Sequence, residues 1–320
     1  MEKIILDVDT GIDDALAIAY AVHSPALEVC GITTTFGNIT VEEATRNTLQ
    51  VLELLDASTI PVYQGASKPI VRDLTGKARL FHGENGLGNV VLPEPSTTAQ
   101  PQCATQFLIS AIKEYPHELT LVTVGSMTNL AQAIMAAPEI ITLVKRVVVM
   151  GGAVTVPGNR TPVAEANICA DPEAAAYVFQ SGIPVTLVGL DVTMQTLLTR
   201  EHLQEWRAKD TRLSHVFADM CEVYMNAYAT VGNLRGCGLH DPLAVGVVID
   251  PTFVKSVPMH VAVDTAGGAS DARTIGDRRE HPAQTPNVDV CLEVDHERFV
   301  GHFLKHVLGN EGGNHCVKRV

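Results

Sequence analysis

Apolar and polar positions form alternating blocks along the first two hundred residues, and these blocks predict a succession of strands and helices. The apolar run that starts at Ile4 is short and rich in β-branched residues, which is typical of a strand buried in a parallel sheet. An Ala-rich segment at 15–22 follows a Gly turn and has the composition of a helix. By the same criteria, further strands are predicted at 27–35, 60–63, 119–124, 146–150 and 184–190, and further helices at 41–54, 104–114, 128–136 and 171–180.

The rest of the chain continues this pattern less regularly. It predicts, in order, a helical segment at 200–228, a Gly-rich segment at 231–238, a helix from Asp241, strands within 253–263 and 287–294, and a closing helix at 296–308. Alternating strands and helices favour an α/β fold with a mostly parallel central sheet and helices on both faces. Because no linker or internal repeat is visible, we expect one domain over residues 1–309 and a loose polar tail at 310–320.

Composition and charge narrow the class of protein. Hydrophobic residues make up 46% of the 320, which is enough for a large core, and the formal charge of −13 argues against a nucleic-acid-binding face. The first residues show no signal-peptide pattern and no apolar run reaches membrane-spanning length, so we expect a cytoplasmic protein without membrane contact. Seven scattered cysteines without a CxxC pair suit reduced thiols better than disulfides or a zinc site.

The densest cluster of charged groups follows the first predicted strand. Asp7 and Asp9 are two residues apart and therefore share one face of the strand's carboxyl end, while Asp13 and Asp14 begin the next helix. Four carboxylates within eight residues repel one another by more than a helix dipole offsets. A divalent cation would supply the missing charge, and oxygen ligands favour Ca²⁺ or Mg²⁺. The alternative is a capped helix with additional surface acids.

Glycine or polar residues, which are typical of turns and binding sites, also follow other predicted strands of the parallel series. Gly37 and Asn38 follow the second strand, Gly151 and Gly152 follow the fifth, and Asp191 follows the sixth. Because ligands of open α/β sheets bind beyond the carboxyl ends of the strands, we expect a cleft at this edge.

Two further segments carry candidate binding groups. The Gly-rich stretch 81–88, which contains His82, lies in a long loop and is either a mobile lid or an ordinary surface loop. At the start of the helix from Asp241, His240 and Asp241 precede Pro242, so Asp241 is either a helix cap or a functional carboxylate.

Amides and carboxylates are dense just before the helix predicted at 171–180. Such groups can both donate to and accept from sugar hydroxyls, although helix capping explains Asp171 equally well. The residues concerned are Asn159, Glu165, Asn167 and Asp171.

Three of these motifs together resemble the nucleoside hydrolase family, the inosine–uridine-preferring nucleoside N-ribohydrolases. The segment 7–15 (DVDTGIDDA) is similar to the family's N-terminal signature, 162–167 (PVAEAN) to its ribose-binding segment, and 240–244 (HDPLA) to its C-terminal signature. The resemblance extends from Ile4 to about Asp250. It implies a Rossmann-like nucleoside hydrolase fold, one bound Ca²⁺, a homodimer or homotetramer, and hydrolysis of ribonucleosides to ribose and free base in nucleoside salvage.

The resemblance also implies roles for individual residues. Asp9, Asp14 and Asp241 would bind Ca²⁺ through carboxylates and Val124 through its backbone carbonyl, and Asp9 would act as general base on a Ca²⁺-bound water. His240 would assist departure of the base. The substrate would be bound by Asp13, Asn38, His82, Met150, Asn159, Glu165, Asn167, Tyr224 and Tyr228.

The implied residue types suit the implied reaction. Glycosidic cleavage develops positive charge on the sugar, which nearby carboxylates stabilise. If Tyr224 and Tyr228 lie on one helix, their spacing places both rings on one face, where a base can stack. Three positions depart from the family pattern and leave open the preference among uridine, cytidine and inosine: Ala166, Met194 and Gly232.

Two other functional classes remain alternatives at this point. Asp7 and Asp9 after an apolar strand also resemble the haloacid-dehalogenase phosphatases, which bind Mg²⁺, but no clear candidate for the lysine of that family is present. A Ca²⁺-dependent nucleoside or ribose receptor without turnover is the third class, and the presence of Asp9 and His240 argues against it.

Overall fold

A computed structural model describes residues 1–74, 76, 78–232 and 235–309 of the chain. The strands, in chain order, are β1 (Glu2–Val8), β2 (Leu27–Thr34), β3 (Val62–Gln64), β4 (Leu119–Thr123), β5 (Arg146–Met150), β6 (Val185–Val188), β7 (Leu197–Thr199), β8 (Gly236–Gly238), β9 (Val254–Met259), β10 (Val261–Val263), β11 (Thr274–Gly276) and β12 (Val288–Val294). The predicted loose tail at 310–320 lies outside the described residues.

The helices alternate with the strands over the first half of the chain, as predicted. In chain order they are α1 (Ile12–His23), α2 (Val41–Leu54), α3 (Arg79–His82), α4 (Ala104–Glu114), α5 (Thr128–Ala136), α6 (Ala166–Ala170), α7 (Pro172–Gln180), α8 (Leu190–Thr193), α9 (Arg200–Ala208), α10 (Arg212–Gly232), α11 (His240–Ile249) and α12 (His296–His306). No helix in these described ranges is both long and apolar enough to cross a membrane.

The central sheet has eight strands in the order β3-β2-β1-β4-β5-β6-β12-β9. Its strand pairs are parallel except for the edge strand β9, which runs antiparallel to β12. Two short antiparallel pairs, β7 with β8 and β10 with β11, lie outside this sheet. The predicted fold class, a single α/β domain with a mostly parallel sheet, is therefore confirmed.

Each face of the sheet is covered by its own hydrophobic core. Along β1, Ile4 and Leu6 pack into a core with residues of α1, α2, α10, α11 and α12, whereas Ile5 packs into a second core with residues of α4, α5 and α7. Along β5, Val148 belongs to the first core and its neighbour Val147 to the second. This alternation follows from the twofold period of a strand, and it explains why the predicted strands read as continuous apolar runs.

Two predicted elements differ from the structure. The helical segment at 200–228 is two helices, α9 and α10, because Asp210 adopts a left-handed backbone conformation with φ of 52° between them. The strand predicted at 184–190 ends at Val188, and the chain then turns at Gly189 into the short helix α8. The Gly-rich segment at 231–238 contains the end of α10 and the strand β8, with 233–234 outside the described residues.

Asp7 is a buried carboxylate in the most central part of the sheet. It is paired in register with Thr33 of β2 and Thr123 of β4. One carboxylate oxygen accepts hydrogen bonds from the Thr33 hydroxyl at 2.6 Å and from the Asn129 amide at 2.8 Å. The other oxygen has no hydrogen-bond partner within the described part of the chain, and burial raises the pKa of the Asp7 carboxyl to about 7.

The hydrophobic core that contains Ile4, Leu6 and Val148 should be sensitive to small cavities. Val148 is fully buried in β5, whereas Val257 on the edge strand β9 is 44% exposed. We expect Val148→Ala to reduce the free energy of unfolding by roughly 2 kcal/mol, because two methyl groups leave a packed core. Val257→Ala removes the same atoms and should cost less than about 0.5 kcal/mol. Urea midpoints of the two variants measure the difference, and equal midpoints would contradict the assignment of the core.

Asp7 should make stability depend on pH. Its folded-state pKa of about 7 is above the ordinary value of 3.8, so the folded state holds a proton that the unfolded chain releases first. Stability from this group is therefore present at pH 4 and is lost as the pH rises through 7. Relative to Asp7→Asn, the wild type should lose up to roughly 4 kcal/mol between pH 4 and pH 8.

Unfolding midpoints of both proteins at the two pH values, measured with a chelator present, test this expectation. The control is Asp289→Asn, which changes an exposed carboxylate on β12. A constant difference between the wild type and Asp7→Asn would show that Asp7 does not titrate in this range.

Candidate active site

A cavity of about 350 Å³ opens where β1, β4 and β5 end, at the carboxyl edge of the sheet. Ligands of open α/β folds bind at this edge, and the polar residues that follow the predicted strands were expected here. Twelve residues assigned to the site from sequence line this cavity: Asp13, Asn38, His82, Val124, Met150, Asn159, Glu165, Asn167, Tyr224, Tyr228, His240 and Asp241.

A larger depression of about 750 Å³ lies at the opposite end of the sheet, near the starts of β6 and β12. It is open to solvent, and none of the site residues predicted from sequence lines it. Size alone would select this depression, but the cavity at the carboxyl edge contains the converging polar groups that chemistry requires.

An acidic cluster forms the floor of the cavity. Carboxylate oxygens of Asp13, Asp14 and Asp241 lie within 4.8 Å of one another, close enough to bind one metal ion. The sequence assigned Asp9 to this set and Asp13 to the sugar. In the structure Asp9 lies beside the cluster, and its backbone N–H donates to the Asp14 carboxylate at 3.1 Å.

Backbone and amide donors hold the two carboxylates in the turn after β1. Asp14 accepts a hydrogen bond from the Gly11 N–H at 2.8 Å, and Asp9 accepts from the Asn38 N–H at 2.6 Å. The Asn38 side-chain amide lies between them, 3.2 Å from Asp9 and 3.3 Å from Asp14. Gly37 is required here, because a Cβ at that position would lie 1.9 Å from an Asp9 oxygen.

The negative charge of these buried carboxylates is not balanced by neighbouring positive charge in the described part of the chain. Desolvation is the main cause that raises the pKa of Asp9 and of Asp241, and repulsion from neighbouring carboxylates raises both further. Burial and the charge of Asp13 raise the pKa of Asp14 to about 7. Among the residues that the structure describes, the main groups that shift these three pKa values include no lysine or arginine. The arrangement therefore favours a cation or a substrate with a positive centre.

Asp241 is not the cap of its helix. The helix α11 begins at His240, its N-cap residue is Leu239, and no side chain caps it. Asp241 is instead 2% exposed and faces the acidic cluster from the first turn, where the helix dipole favours a negative charge. The capping alternative for Asp241 is thus wrong.

Asp13 connects the acidic cluster to the aromatic side of the cavity. Its Oδ2 accepts a hydrogen bond from the Tyr224 hydroxyl at 3.0 Å, while its Oδ1 has no hydrogen-bond partner within the described ranges. His82 lies 3.9 Å from Oδ1, and burial lowers the pKa of His82. An acceptor that is buried and unpaired is available to a ligand hydroxyl.

The segment around α6 presents amides to the cavity while its carboxylate orders the turn. Glu165 caps α6 by accepting from the Asn167 and Ile168 N–H groups at 2.8 and 3.1 Å, and it also accepts from Gly152 at 3.0 Å. The Asn167 amide donates to the Val124 carbonyl at 2.7 Å.

Two more predicted site residues are positioned by this segment. The Asn159 side chain accepts from the backbone N–H of Ala166 at 2.9 Å. The backbone carbonyl of Met150 accepts from the Asn167 amide at 3.2 Å. Both therefore lie at the cavity wall beside α6.

Asp171 does not reach the cavity. It is fully buried and caps α7 by accepting from the Ala174 N–H at 3.1 Å. Its second oxygen accepts from the Thr128 hydroxyl at 2.7 Å and from the Ile70 N–H at 2.9 Å. The capping interpretation of Asp171 is the one the structure supports.

Aromatic rings form the other end of the cavity. Tyr224 and Tyr228 share one face of α10, as their spacing predicts, with ring centroids 5.0 Å apart. Phe81 of α3 packs edge-on against Tyr228 at 5.3 Å, and His82 lies 5.2 Å from Tyr224. Of the stretch 81–88, Phe81 and His82 line the cavity, and His82 accepts from the Ile12 N–H at 3.1 Å.

His240 is hydrogen-bonded through both ring nitrogens. Its Nε2 lies 2.5 Å from the Tyr228 hydroxyl and its Nδ1 lies 2.7 Å from the Thr193 hydroxyl. The ring is 3% exposed, and burial lowers the pKa of His240. A neutral imidazole between two hydroxyl groups can pass a proton from one side to the other.

Sequence reasoning missed three residues of this site. Thr193 lies two residues after Asp191, beyond the sixth predicted strand, and only its contact with His240 reveals a role. Phe81 belongs to the lid segment, and Arg160 follows Asn159 and lines the cavity. The positions that depart from the family pattern also line the cavity: Ala166, Met194 and Gly232.

Comparison with known proteins agrees with this geometry. Residues 4–301 match the family described as inosine-uridine preferring nucleoside hydrolase. The chain is 40% identical to uridine nucleosidase 1 of Arabidopsis thaliana, over 83% of this chain and 79% of that protein. It is 39% identical to the pyrimidine-specific ribonucleoside hydrolase RihA of Salmonella typhimurium, over 93% of this chain and 95% of that protein.

A solved structure extends the similarity to a relative with a different base preference. The purine-preferring ribonucleoside hydrolase from Gardnerella vaginalis superposes with a TM-score of 0.92 and 42% identity, covering 96% of this chain and 98% of that one. These similarities give no support to the phosphatase alternative. The chain belongs to the nucleoside hydrolase family, and it is an N-glycosidase that acts on ribonucleosides.

Proposed function

We propose that the protein hydrolyses the N-glycosidic bond of both pyrimidine and purine ribonucleosides, with Asp9 as general base and Ca²⁺ as its metal. The observation that carries this proposal is one cavity with carboxylates at its floor and a hydrogen-bonded histidine among aromatic rings at its other end. The sugar binds over the carboxylates and the base lies against the rings.

The donor set of the acidic cluster fits a hard divalent cation. We assign the carboxylates of Asp14 and Asp241 from this cluster, the carboxylate of Asp9 beside it and the backbone carbonyl of Val124 as its ligands, and we assign Asp13 to the sugar. Oxygen-only ligands suit Ca²⁺, and the raised pKa values show how much negative charge is buried without compensation. When bound, the cation supplies Lewis-acid activation of the attacking water and a positive anchor for sugar hydroxyls.

Asp13 is assigned to the sugar because its hydrogen bonding is incomplete. The Tyr224 hydroxyl satisfies Oδ2 and fixes the side chain, which leaves Oδ1 to accept from a ribose hydroxyl. Asn38, Asn159, Glu165 and Asn167 line the same end of the cavity. As the glycosidic bond breaks, positive charge grows on the sugar, and this group of carboxylates stabilises it.

Asp9 suits the role of general base. The Asn38 amide groups orient its carboxylate, and burial together with the charge of Asp14 raises its pKa toward the working range. A base whose pKa lies closer to the working pH accepts a proton more readily in the transition state.

His240 and Tyr228 form the leaving-group side of the site. Because burial keeps His240 neutral, only one ring nitrogen carries a proton at a time. When Thr193 donates to Nδ1, Nε2–H donates to Tyr228, and the Tyr228 hydroxyl is left to donate to the departing base. Proton delivery of this kind matters most for a purine, whose imidazole nitrogen must be protonated to leave well.

The breadth of the proposed substrate range has a structural reason. The base end is a wall of aromatic rings, and stacking against such a wall tolerates any base because every base has a π-face. The relatives named above prefer uridine, pyrimidines or purines, which is consistent with one wall serving several bases. We further propose a cytoplasmic homodimer or homotetramer with a role in nucleoside salvage.

Release of base and ribose from a panel of nucleosides tests the proposed function. We expect turnover of uridine, cytidine and inosine, and rejection of deoxyuridine by about 10⁴-fold in kcat/KM, because Asp13 and the metal would lose their hydroxyl partner. Binding of uridine without release of ribose would instead identify a receptor. Comparable kcat/KM values for uridine and deoxyuridine would refute the assignment of the sugar site.

Removal of Asp241 tests the metal site. We expect Asp241→Ala to lower kcat/KM for uridine by on the order of 10³-fold and to lose stoichiometric Ca²⁺, because the cluster then lacks one of its ligands. The matched control is Asp289→Ala, which removes an exposed carboxylate on β12. The control protein should bind Ca²⁺ as the wild type does. Ca²⁺ content after dialysis and initial rates provide the two readouts. An Asp241→Ala enzyme that retains both would show that the ligands lie elsewhere.

Substrates with different leaving groups test the role of His240. We expect His240→Ala to slow inosine hydrolysis by roughly 10²–10⁴-fold in kcat, because a positioned acid is lost. p-Nitrophenyl riboside should slow little, since its phenolate leaves without a proton. Tyr228→Phe removes only a hydroxyl and should reproduce the same split between the two substrates. Equal losses on both substrates would mean that these side chains shape the cavity and transfer no proton.

A further inference from the structure

Two histidines lie side by side on the last helix, outside the active-site cavity. His302 and His306 are four residues apart in α12, and their rings stack with centroids 4.1 Å apart and planes inclined by 30°. Both side chains are half-buried, so an ion in solvent can reach them. Neither residue lines the cavity, and the hydrolysis described above uses neither side chain.

The spacing of the two histidines is one that binds transition metals. Residues four apart on a helix lie on one face, and two histidines at this spacing provide two of the ligands in many zinc sites. Imidazole nitrogen suits Zn²⁺, Cu²⁺ and Ni²⁺, whereas the oxygen ligands of the acidic cluster suit Ca²⁺. The pair therefore selects a different class of cation from the active site.

One nitrogen of each ring is oriented by a fixed partner. Nδ1 of His306 lies 2.7 Å from the backbone carbonyl of His302, and because a carbonyl only accepts, this Nδ1 carries the proton. Nδ1 of His302 lies 2.6 Å from the Tyr20 hydroxyl oxygen, to which it can donate. Histidines that bind metals usually donate their second ring N–H to such an acceptor, which fixes the ring for the metal.

The other nitrogen of each ring is available to a ligand. Within the ranges that the structure describes, neither Nε2 has a hydrogen-bond partner. Burial lowers the pKa of His302, and repulsion from a protonated His306 lowers it further. Because a metal binds the neutral imidazole, this environment favours the form of His302 that acts as a ligand.

Interaction with the end of the helix does not account for the pair. His306 is in the last turn of α12, where a basic side chain can bind the final carbonyl groups. That role explains the hydrogen bond of His306, but it gives no reason for a second ring stacked on the first. Two protonated rings at this distance would repel each other, whereas two neutral rings can share one cation.

Tyr20 connects the pair to the fold. It is fully buried in α1, and its ring packs edge-on against His302 at 5.8 Å and Phe303 at 5.3 Å. Tyr20 is six residues after Asp14, which is about 9 Å along the helix axis, so the pair is separate from the acidic cluster. An ion on the pair would fix the last turn of α12 and, through Tyr20, its contact with α1.

We propose that His302 and His306 form a second metal site, which binds one Zn²⁺ or a similar transition-metal ion through the two Nε2 atoms. Among the described residues, no third histidine, cysteine or carboxylate lies close enough to join them. Water therefore completes the coordination, and the ion binds reversibly. The bound ion stabilises the packing of α12 on α1 and takes no part in hydrolysis.

Titration of the protein with Zn²⁺ tests the proposal, with Ca²⁺ present in excess so that the acidic cluster is filled. We expect one equivalent of Zn²⁺ to bind and to raise the unfolding midpoint by a few degrees, because the ion binds the folded state. His306→Gln should weaken Zn²⁺ binding by at least about tenfold and abolish this rise, while kcat/KM for uridine stays within about twofold. Wild-type affinity in folded His306→Gln would overturn the proposal.

Tyr20→Phe tests the orienting role of the hydroxyl, because it removes no proposed ligand. We expect Zn²⁺ affinity to fall by roughly 10–100-fold. With Cu²⁺ as the probe, electron paramagnetic resonance should show two nitrogen ligands in the wild type and fewer in His306→Gln. A signal without nitrogen ligands in the wild type would contradict the site.

Two control variants exclude other histidines and the tail. His296→Gln changes an exposed histidine on the same helix and should bind Zn²⁺ as the wild type does. The double variant His315→Ala/Cys316→Ser removes two possible ligands that lie outside the described residues, and it should also bind normally. Loss of Zn²⁺ binding in either control would show that the ion is held elsewhere and would overturn the assignment.

Discussion

Burial of several carboxylates at one edge of the sheet is the constraint on which the rest of the site depends. Asp9, Asp14 and Asp241 are almost completely removed from water, and within the described ranges the groups that shift their pKa values include no basic side chain. Backbone N–H groups and the Asn38 amide offset part of this cost. A protein retains so much desolvated charge only where function requires it, because neutral side chains would be more stable.

The two hydrophobic cores make this arrangement possible. Each central strand contributes alternate residues to both faces, so the strands are held rigidly and their carboxyl ends are fixed relative to one another. The turns that follow the strands then place their polar groups within hydrogen-bond distance. Rigid strands with short turns give better positioned groups than long loops would.

The two ends of the cavity divide the chemistry of glycoside cleavage. In the mechanism we propose, carboxylates at the floor stabilise positive charge on the sugar, and the histidine between Tyr228 and Thr193 serves the growing negative charge of the base. Asp13 belongs to both ends, since it lies in the acidic cluster and accepts from Tyr224. Substitutions near Asp13 would therefore affect both ends together.

The sequence alone determined the parallel α/β architecture, because strand and helix periods are local properties of the chain. It also determined the family through three short motifs, and the twelve predicted residues that line the cavity came from those motifs and the family resemblance. The break between α9 and α10 was not predictable, since Asp210 interrupts the helix without a Pro or Gly signal. The choice between cap and functional carboxylate at Asp171 and Asp241 also required the structure. Only the tertiary structure revealed the partners of His240, because they join segments far apart in the chain, such as Thr193 with His240.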